Sequence, residues 1–300
     1  MEFVRSLPYD HPFRWDATPV GGSKLWRPDE LGSSLALWLD AEDADSITLN
    51  GTDVAQWADK SGNGRNAEQS SASAQPALVP NVINGLPVVR GDGTDDILDI
   101  PNGKDLFQNI DGATIILVGQ YSQIDANDLF MFGFSGASNL RFGIGSFAVG
   151  NVYRATSRRL DSDPAPITAS GGTVVANTPV IQRGDYDYSD GLIAVSVDGV
   201  QLDSQSRTVG TTSNTPGDST SMFGTGVGTF YPLDLGEIIV ANAPLSSNDR
   251  QKLEGYLAWH WELEANLPVG HPYASTPPII AAQVDDAPIF LFIRKKPWRP

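Results

Sequence analysis

The sequence predicts an all-β protein, either a sandwich or a barrel. Short runs rich in β-branched and aromatic residues alternate with clusters of Gly, Pro, Asn and Asp, which is typical of strands separated by turns. Asp198-Gly199 lies between apolar residues and predicts a hairpin, because Gly adopts the positive φ that a tight turn needs. The 30 glycines of the 300-residue chain supply the turns of such a fold.

Seven segments have the strand pattern. They alternate polar and apolar residues, or remain apolar for several residues between turn signals. Their regular spacing favours a sandwich or barrel over a mixed fold. The segments are 34–41, 86–91, 113–121, 140–146, 178–186, 192–199 and 235–243.

One helix is predicted, at about 247–264. Ser246 to Asp249 match a capping box, in which a Ser and an acidic residue three positions later satisfy free backbone N–H groups. Apolar residues then recur at helical spacing from Leu253 to Trp261, as expected for a helix lying on a sheet. His260 lies within this stripe, which predicts a core or interface histidine.

Charge divides the chain into a body and two arms. Residues 1–28 hold four basic and three acidic side chains, and 274–300 hold four basic and two acidic, so 29–273 carries −19 within a net charge of −16. Both ends are rich in Pro and aromatic residues without helical periodicity, which predicts extended arms. We expect them to dock on the body or on a partner chain. The docking residues predicted for the C-terminal arm are Phe290, Phe292, Arg294, Lys295, Lys296 and Trp298.

Composition excludes several classes of protein. The chain has no cysteine, which excludes a disulfide scaffold, a thiol nucleophile and a thiolate metal site. No apolar run approaches the roughly 20 residues of a membrane-spanning helix. A pI near 4.4 is unsuited to nucleic-acid binding, which depends on neutralising phosphates. The N-terminus lacks a signal-peptide pattern, so we expect synthesis in the cytoplasm.

Three stretches resemble a known family. They are LWLDAEDADSITLNGTDVAQWADKSGNGRNAEQ (37–69), NGLPVVRGDGTDDILDI (84–100) and LGEIIVANAPLSSNDRQKLEGYLAWHWELEANLPVGHPY (235–273). In this order they resemble the concanavalin A-like lectin/glucanase superfamily, and are most similar to laminin-G-like domains of bacteriophage virion proteins. The resemblance implies a jelly roll of two antiparallel sheets with an appended C-terminal helix. It also implies binding of glycans or proteins.

The sequence predicts no catalytic site. Glucanases of this superfamily carry a Glu-x-Asp-x-Glu strand, in which alternate carboxylates share one face and act as nucleophile and acid. This chain has no such motif, and Glu237, in mid-strand, is followed by Ile239 at the position of the second carboxylate. A pair of carboxylates that converges from distant strands remains the alternative. Such a pair would make the protein a glycoside hydrolase.

Calcium is the candidate cofactor. Asp92, Asp95 and Asp96, in the turn GDGTDD, offer the hard oxygen ligands that Ca²⁺ prefers. The segment DAEDAD (40–45) offers a second cluster of carboxylates. The alternative for both is turn formation, because Asp side chains accept backbone N–H bonds.

Glycan binding would require an exposed aromatic platform beside polar groups. The candidate residues lie in GDYDYSDG: Tyr186 and Tyr188, with Asp185 and Asp190. A solvated polar turn is the alternative for this segment. The resemblance matches Trp38 and Trp57 to positions where the family has apolar core residues, which implies that both are buried.

These observations favour a bacteriophage virion structural protein, made in the host cytoplasm. It would be a capsid-decoration, tail or fibre component whose lectin-like domain (29–273) faces outward for glycan or host-surface adhesion. Its arms would dock on other virion proteins and on copies of itself, with neither nucleic-acid binding nor membrane insertion. A secreted or surface glycan-binding adhesin and a glycoside hydrolase are the alternatives.

Overall fold

The computed structural model describes residues 24–124, 129–135, 139–147, 150–217, 219–224 and 228–280, and the predicted all-β fold is confirmed there. These residues form nineteen strands and one α-helix. The strands are β1 (Lys24–Leu25), β2 (Leu35–Asp40), β3 (Ile47–Asn50), β4 (Asp53–Trp57), β5 (Ala67–Glu68), β6 (Ala77–Ile83), β7 (Leu86–Arg90), β8 (Leu98–Asp99), β9 (Gly112–Tyr121), β10 (Leu129–Ser135), β11 (Asn139–Phe147), β12 (Val152–Ser157), β13 (Ile167–Gly171), β14 (Val180–Asp187), β15 (Leu192–Val197), β16 (Val200–Ser206), β17 (Ser219–Met222), β18 (Leu233–Ala241) and β19 (Ile279–Ile280). The helix is α1 (Ser247–His260).

Two antiparallel layers form a jelly-roll sandwich. Sheet I has the order β2–β18–β9–β14–β15–β16, with β7 and β6 continuing beside β18 beyond the end of β2. Sheet II has the order β3–β4–β5–β8–β17–β10–β11–β12–β13. The chain crosses repeatedly between the sheets, so residues far apart in sequence line the same core.

All seven predicted strand segments contain a strand. The predicted hairpin is also confirmed, because Asp198 and Gly199 connect β15 to β16 with φ values of 49° and 78°. Both angles are positive, as a two-residue turn matching the strand twist requires. Val197 and Val200 pair directly across this turn.

Alternation along β9 creates two cores. Ile115 and Leu117 face sheet II, whereas Ile116 and Val118 face α1. Because β9 is covered on both faces, its sequence is a continuous apolar run rather than an alternating one. Helix α1 therefore turns the outer face of sheet I into a second hydrophobic layer.

Helix α1 begins at the predicted cap. The Ser246 hydroxyl accepts a hydrogen bond from the backbone N–H of Asp249 (3.1 Å) and donates one to its carboxylate (2.8 Å), which confirms Ser246 as the N-cap. The helix ends at His260, earlier than predicted, because Glu262 adopts a left-handed conformation (φ 53°). No helix among the described residues combines the length and apolar character needed to cross a membrane.

The two ends of the described part of the chain lie side by side. Strand β1 pairs with β19, with Lys24 opposite Ile280, and the Trp26 N–H donates to the Pro278 carbonyl (2.9 Å). Trp26 is buried in the hydrophobic layer under α1. The inner ends of both predicted arms are thus held together, whereas the six docking residues between 290 and 298 lie outside the described residues. The boundaries at 28 and 273 stay predictions.

Candidate functional sites

The two tyrosines predicted to bind glycan lie inside the sandwich. Tyr186 and Tyr188 are both 0% exposed. The Tyr186 hydroxyl donates to the Gly143 carbonyl (2.7 Å), and the Tyr188 hydroxyl lies 2.6 Å from the Ser157 hydroxyl. The rings present no face to a sugar, which corrects the expectation of an exposed aromatic platform. The physical reason is that β14 extends to Asp187, so both side chains point toward the core.

The aspartates of the same segment are separated from each other. Asp185 is buried beneath α1, where Arg183 donates to it (2.8 Å). Asp190 is exposed in the turn after β14, and its backbone N–H donates to the Asp187 carboxylate (3.0 Å). The large hydrophobic side chains exposed among the described residues are all aliphatic. Ring stacking at this turn therefore cannot be the mode of recognition.

The predicted calcium ligands converge in one turn. Asp92, Asp95 and Asp96 each offer a carboxylate oxygen, and these oxygens lie within 4.8 Å of one another. Oxygens bound to one Ca²⁺ at about 2.4 Å have such separations. Two oxygens also support the turn itself, since Asp92 accepts from the Thr94 N–H (2.7 Å) and Asp96 from the Asp92 N–H (2.8 Å). The donor set fits a hard cation.

Asp96 is the carboxyl group of this turn whose ionisation is disfavoured. Burial raises its pKa to about 6, against an opposing hydrogen bond from the Asp92 N–H, and the charges of Asp92 and Asp95 raise it further. A raised pKa in the folded state means that ionising Asp96 destabilises the fold, so stability falls as pH rises from about 4 to about 6. A bound cation would reverse this effect.

A carboxylate–histidine cluster lies under α1, where β2 and β18 pair. Glu237 is 0% exposed, and its two oxygens accept hydrogen bonds from the Trp38 indole (2.7 Å) and the Trp261 indole (2.8 Å). His260 Nδ1 lies 3.0 Å from Glu237 Oε2. Beside them, Lys60 donates to the buried Asp40 (2.7 Å). The prediction that Trp38 and His260 are buried is confirmed.

Opposite charges fix the protonation states of this cluster. Burial alone would lower the pKa of His260, but Glu237 and Asp40 outweigh it and raise that pKa to about 10. Burial opposes ionisation of Glu237 too, yet the charge on His260 and its hydrogen bond hold the pKa of Glu237 below its usual range. Burial and the charge of Glu237 raise the pKa of Asp40 to about 6. At neutral pH Glu237 and His260 form a buried ion pair.

Sequence reasoning had named Glu237 only as a candidate hydrolase residue, and it did not find the cluster. The available signal was strand pairing. Asp40 ends β2 and Glu237 interrupts the apolar run of β18, and the two residues are direct partners in the ladder. The side chains are enclosed by two indoles and α1, so the arrangement holds the helix to the sheet and offers no access to a substrate.

A second ionic cluster holds the middle of α1. Arg183 on β14 donates to Glu254 of the helix and to Ser196 on β15 (3.0 Å). The other Glu254 oxygen lies 3.2 Å from His271 Nε2, in the segment that follows the helix. All these side chains are largely buried. Helix α1 is therefore anchored at two points by charges that are paired within the protein.

No protein-family model and no curated protein matches this sequence. Solved structures are similar in fold. A Trypanosoma rangeli sialidase is 15% identical with a TM-score of 0.50, and the match covers 72% of this chain and 32% of that chain. A structure of botulinum neurotoxin type C, which interacts with two ganglioside molecules, is 13% identical with a TM-score of 0.52, covering 77% and 53%. The Ruminococcus gnavus IT-sialidase CBM40, bound to α2,3-sialyllactose, is 15% identical with a TM-score of 0.43, covering 53% and 90%.

The likeness concerns the fold alone. This chain spans about a third of the sialidase chain and about half of the neurotoxin chain. At such low identities, shared architecture does not transfer an activity. The chain thus has a lectin-like β-sandwich fold.

The ion pair between His260 and Glu237 predicts a pH dependence of stability. The unfolded chain releases the His260 proton near pH 6.5, whereas the folded chain keeps it up to about pH 10. The stabilisation is complete below pH 6.5 and is lost as pH rises toward 10, at about 1.4 kcal/mol per pH unit. We expect His260→Gln to abolish this slope in urea denaturation between pH 7 and 9.5.

Lys24→Gln is the matched control, because Lys24 is exposed and its pKa is raised from an ordinary value that already lies above this window. It should leave the slope unchanged. A His260→Gln variant that keeps the wild-type slope would contradict the ion pair.

Proposed function

We propose that this chain is a non-catalytic, glycan-binding display protein: a lectin-like sandwich fixed to a larger assembly by its terminal segments. The lectin-like fold supports glycan binding, because sandwiches of this kind present loops and sheet faces to ligands. The sialidase and the ganglioside-interacting neurotoxin have a similar fold and act on or interact with glycans. Glycan binding by this chain is accordingly part of our proposal.

Helix α1 covers the outer face of sheet I, and this is the observation that supports a non-catalytic function. A glycosidase needs two accessible carboxyl groups that flank a glycosidic bond. Here Asp40 and Glu237 share a face, but α1 covers them, and indole and ammonium groups occupy their oxygens. The loops and sheet II are therefore the surfaces that remain for glycan recognition.

The finer proposal is a bacteriophage virion component within the concanavalin A-like superfamily. The resemblance of the three stretches to virion domains supports it. The three stretches also adjoin one another in the fold. The first contributes β2, the second β7, and the third β18 and α1, and both β2 and β7 pair with β18. The stretches thus form one structural unit around the Glu237 cluster.

We further propose that Ca²⁺ binds the 92–96 turn as a stabilising cofactor. The turn gathers three carboxylates, and burial, together with the charges of Asp92 and Asp95, raises the pKa of Asp96. Nearby, Gly93 has a positive φ (77°) and lies against Pro232, so the loop has little room to rearrange. An ion here would fix the loop and take no part in a reaction.

Calcium should therefore stabilise the protein. At a free Ca²⁺ concentration one hundred times Kd, the expected gain is about 2.7 kcal/mol, measured by thermal denaturation with and without chelator. Asp96→Asn should raise the free energy of unfolding by about 1 kcal/mol at pH 7 without metal, and should abolish the calcium response. Asp190→Asn, in a separate exposed turn, is the control. Equal stability of the wild type with Ca²⁺ and with chelator would refute the site.

Glycan binding is tested with the full chain on an array of neutral and acidic glycans. We expect saturable binding to at least one class, without release of reducing sugar from the bound polysaccharides. Absence of binding to every class would contradict the proposed function. Release of reducing sugar that Glu237→Gln abolishes would instead establish the glycoside hydrolase alternative.

If the C-terminal segment is an anchor, its removal should prevent incorporation into particles while folding and glycan binding are retained. A chain ending at residue 280 keeps β19 and its pairing with β1, so it should fold and bind glycan like the full chain. The truncated chain should be absent from purified virus particles of the source, as measured by immunoblotting. Incorporation at the level of the full chain would show that 281–300 is not an anchor.

A further inference from the structure

A lysine side chain reaches the buried carboxylates beside the Glu237 cluster. Lys60 Nζ lies 2.7 Å from Asp40 Oδ2 and 2.8 Å from Asp43 Oδ2. The Lys60 side chain is 18% exposed and the Asp40 side chain is 2% exposed. An ammonium group thus occupies the second carboxylate cluster of the sequence, at 40–45, and an amine and a carboxyl group are in contact away from bulk water.

The backbone holds Lys60 in place against β2. Its N–H donates to the Trp38 carbonyl (2.8 Å), and the Trp38 N–H donates to the Asp59 carboxylate (3.0 Å). The same carboxylate accepts a hydrogen bond from the Ser61 N–H (2.9 Å). The loop that carries Lys60 is therefore firmly attached to the strand that carries Asp40.

The two oxygens of Asp40 have different surroundings. Oδ1 accepts a hydrogen bond from the Glu42 backbone N–H (3.1 Å), whereas Oδ2 faces Lys60. The N–H group would stabilise negative charge that develops on Oδ1, as the donors of an oxyanion hole do. One ring nitrogen of His260 lies within 4.8 Å of an Asp40 oxygen and adds a positive charge near the same carboxyl group.

Neighbouring groups affect the protonation of this pair. Burial and the charge of Glu237, its partner in the ladder, raise the pKa of Asp40 to about 6, so Asp40 holds a proton more readily than an exposed aspartate does. Burial alone would lower the pKa of Lys60, but the surrounding carboxylates raise it, so the uncharged amine is a minor species. The Trp38 ring, whose centre is 4.6 Å from Nζ, covers the ammonium group. Because the two groups stay in contact throughout the life of the fold, the minor species meets the carboxyl group repeatedly.

We propose that Lys60 and Asp40 become joined by an amide bond between their side chains, formed by the folded protein itself. Lys60 Nζ first transfers a proton to Asp40 Oδ2 along their hydrogen bond, which leaves an uncharged amine beside an uncharged carboxyl group. The lone pair of the amine attacks Cγ and forms the C–N bond. The bond from Cγ to Oδ2 then breaks with its electron pair, and the departing hydroxyl takes a second proton from Nζ. The products are one amide and one water molecule, and no external reagent is needed.

Preorganisation favours this bond over its hydrolysis. The effective molarities of well-oriented intramolecular reactions reach about 10⁵–10⁸ M, which offsets the cost of condensing an acid with an amine. Asp43 also contacts Nζ, but its side chain is 34% exposed. Water would therefore compete with the amine at Asp43, whereas it is largely excluded from Asp40.

The bond would link the two sheets of the sandwich. Asp40 ends β2 in sheet I, and Lys60 follows β4 in sheet II. The closed ring would comprise 40–60 and would include the hairpin of β3 and β4. A covalent link of this kind stabilises a fold chiefly by restricting the unfolded chain. The chain has no cysteine, so an amide would serve where no disulfide can form.

Mass spectrometry of the purified full chain tests the proposal. In the unlinked chain trypsin cleaves after Lys60 and yields peptides 25–60 and 61–65. A lysine whose side chain is acylated resists trypsin. We expect instead a single peptide, 25–65, that is lighter than its sequence by one water, and backbone cleavage within 40–60 should release no separate fragments from it. This result does not depend on glycan binding.

Two variants are matched to this chemistry. Lys60→Arg keeps the positive charge beside Asp40, but a guanidinium group stays protonated in proteins and is not acylated. This variant should yield peptides 25–60 and 61–65 at full mass, and it should unfold at a lower temperature than the wild type. Asp43→Asn removes the other carboxylate in contact with Nζ and should still yield the linked peptide.

Three results would overturn the proposal. Peptides 25–60 and 61–65 at full mass from the wild type would show that no bond forms, and this measurement is decisive even if a variant does not fold. A linked peptide that is absent from a folded Asp43→Asn variant would assign the bond to Asp43. Loss of water confined to another peptide, and reversed by mild alkali, would identify a succinimide at an Asp-Gly pair such as Asp198-Gly199.

Discussion

Burial of Glu237 is the interaction on which the rest of this structure depends. A carboxylate removed from water is costly unless donors surround it. Here Trp38 from β2, Trp261 and His260 from the end of α1 all reach the same carboxylate. The helix can therefore occupy only one position on sheet I. The close contact of Trp261 with Gly236, where even a methyl group would clash with the indole, enforces the same position.

That constraint also helps to place β19 on the body. With α1 fixed, the segment that follows it returns through His271, which lies against Glu254, to β19. Strand β19 then pairs with β1, and Trp26 enters the layer beneath the helix. Lys24 and Ile280, at the two ends of the described body, consequently lie side by side.

Much of this fold was accessible from the sequence because its signals are local. Strand periodicity, the Asp198-Gly199 turn and the Ser246 cap each depend on residues within a few positions, and each is confirmed. Tyr186 and Tyr188 were misplaced because their neighbours are aspartates, so the segment has the composition of a solvated turn. The deciding factor was long-range: the hydroxyl partners of these tyrosines come from sheet II. The Glu237 cluster was missed for the same reason, since it needs the register between β2 and β18.

Pairing of buried cations with buried carboxylates affects the charge of the protein surface. Arg183 and His260 neutralise buried carboxylates under α1, so these cations are unavailable to a ligand. The surface around them is left strongly acidic, which keeps copies apart and repels polyanions in general.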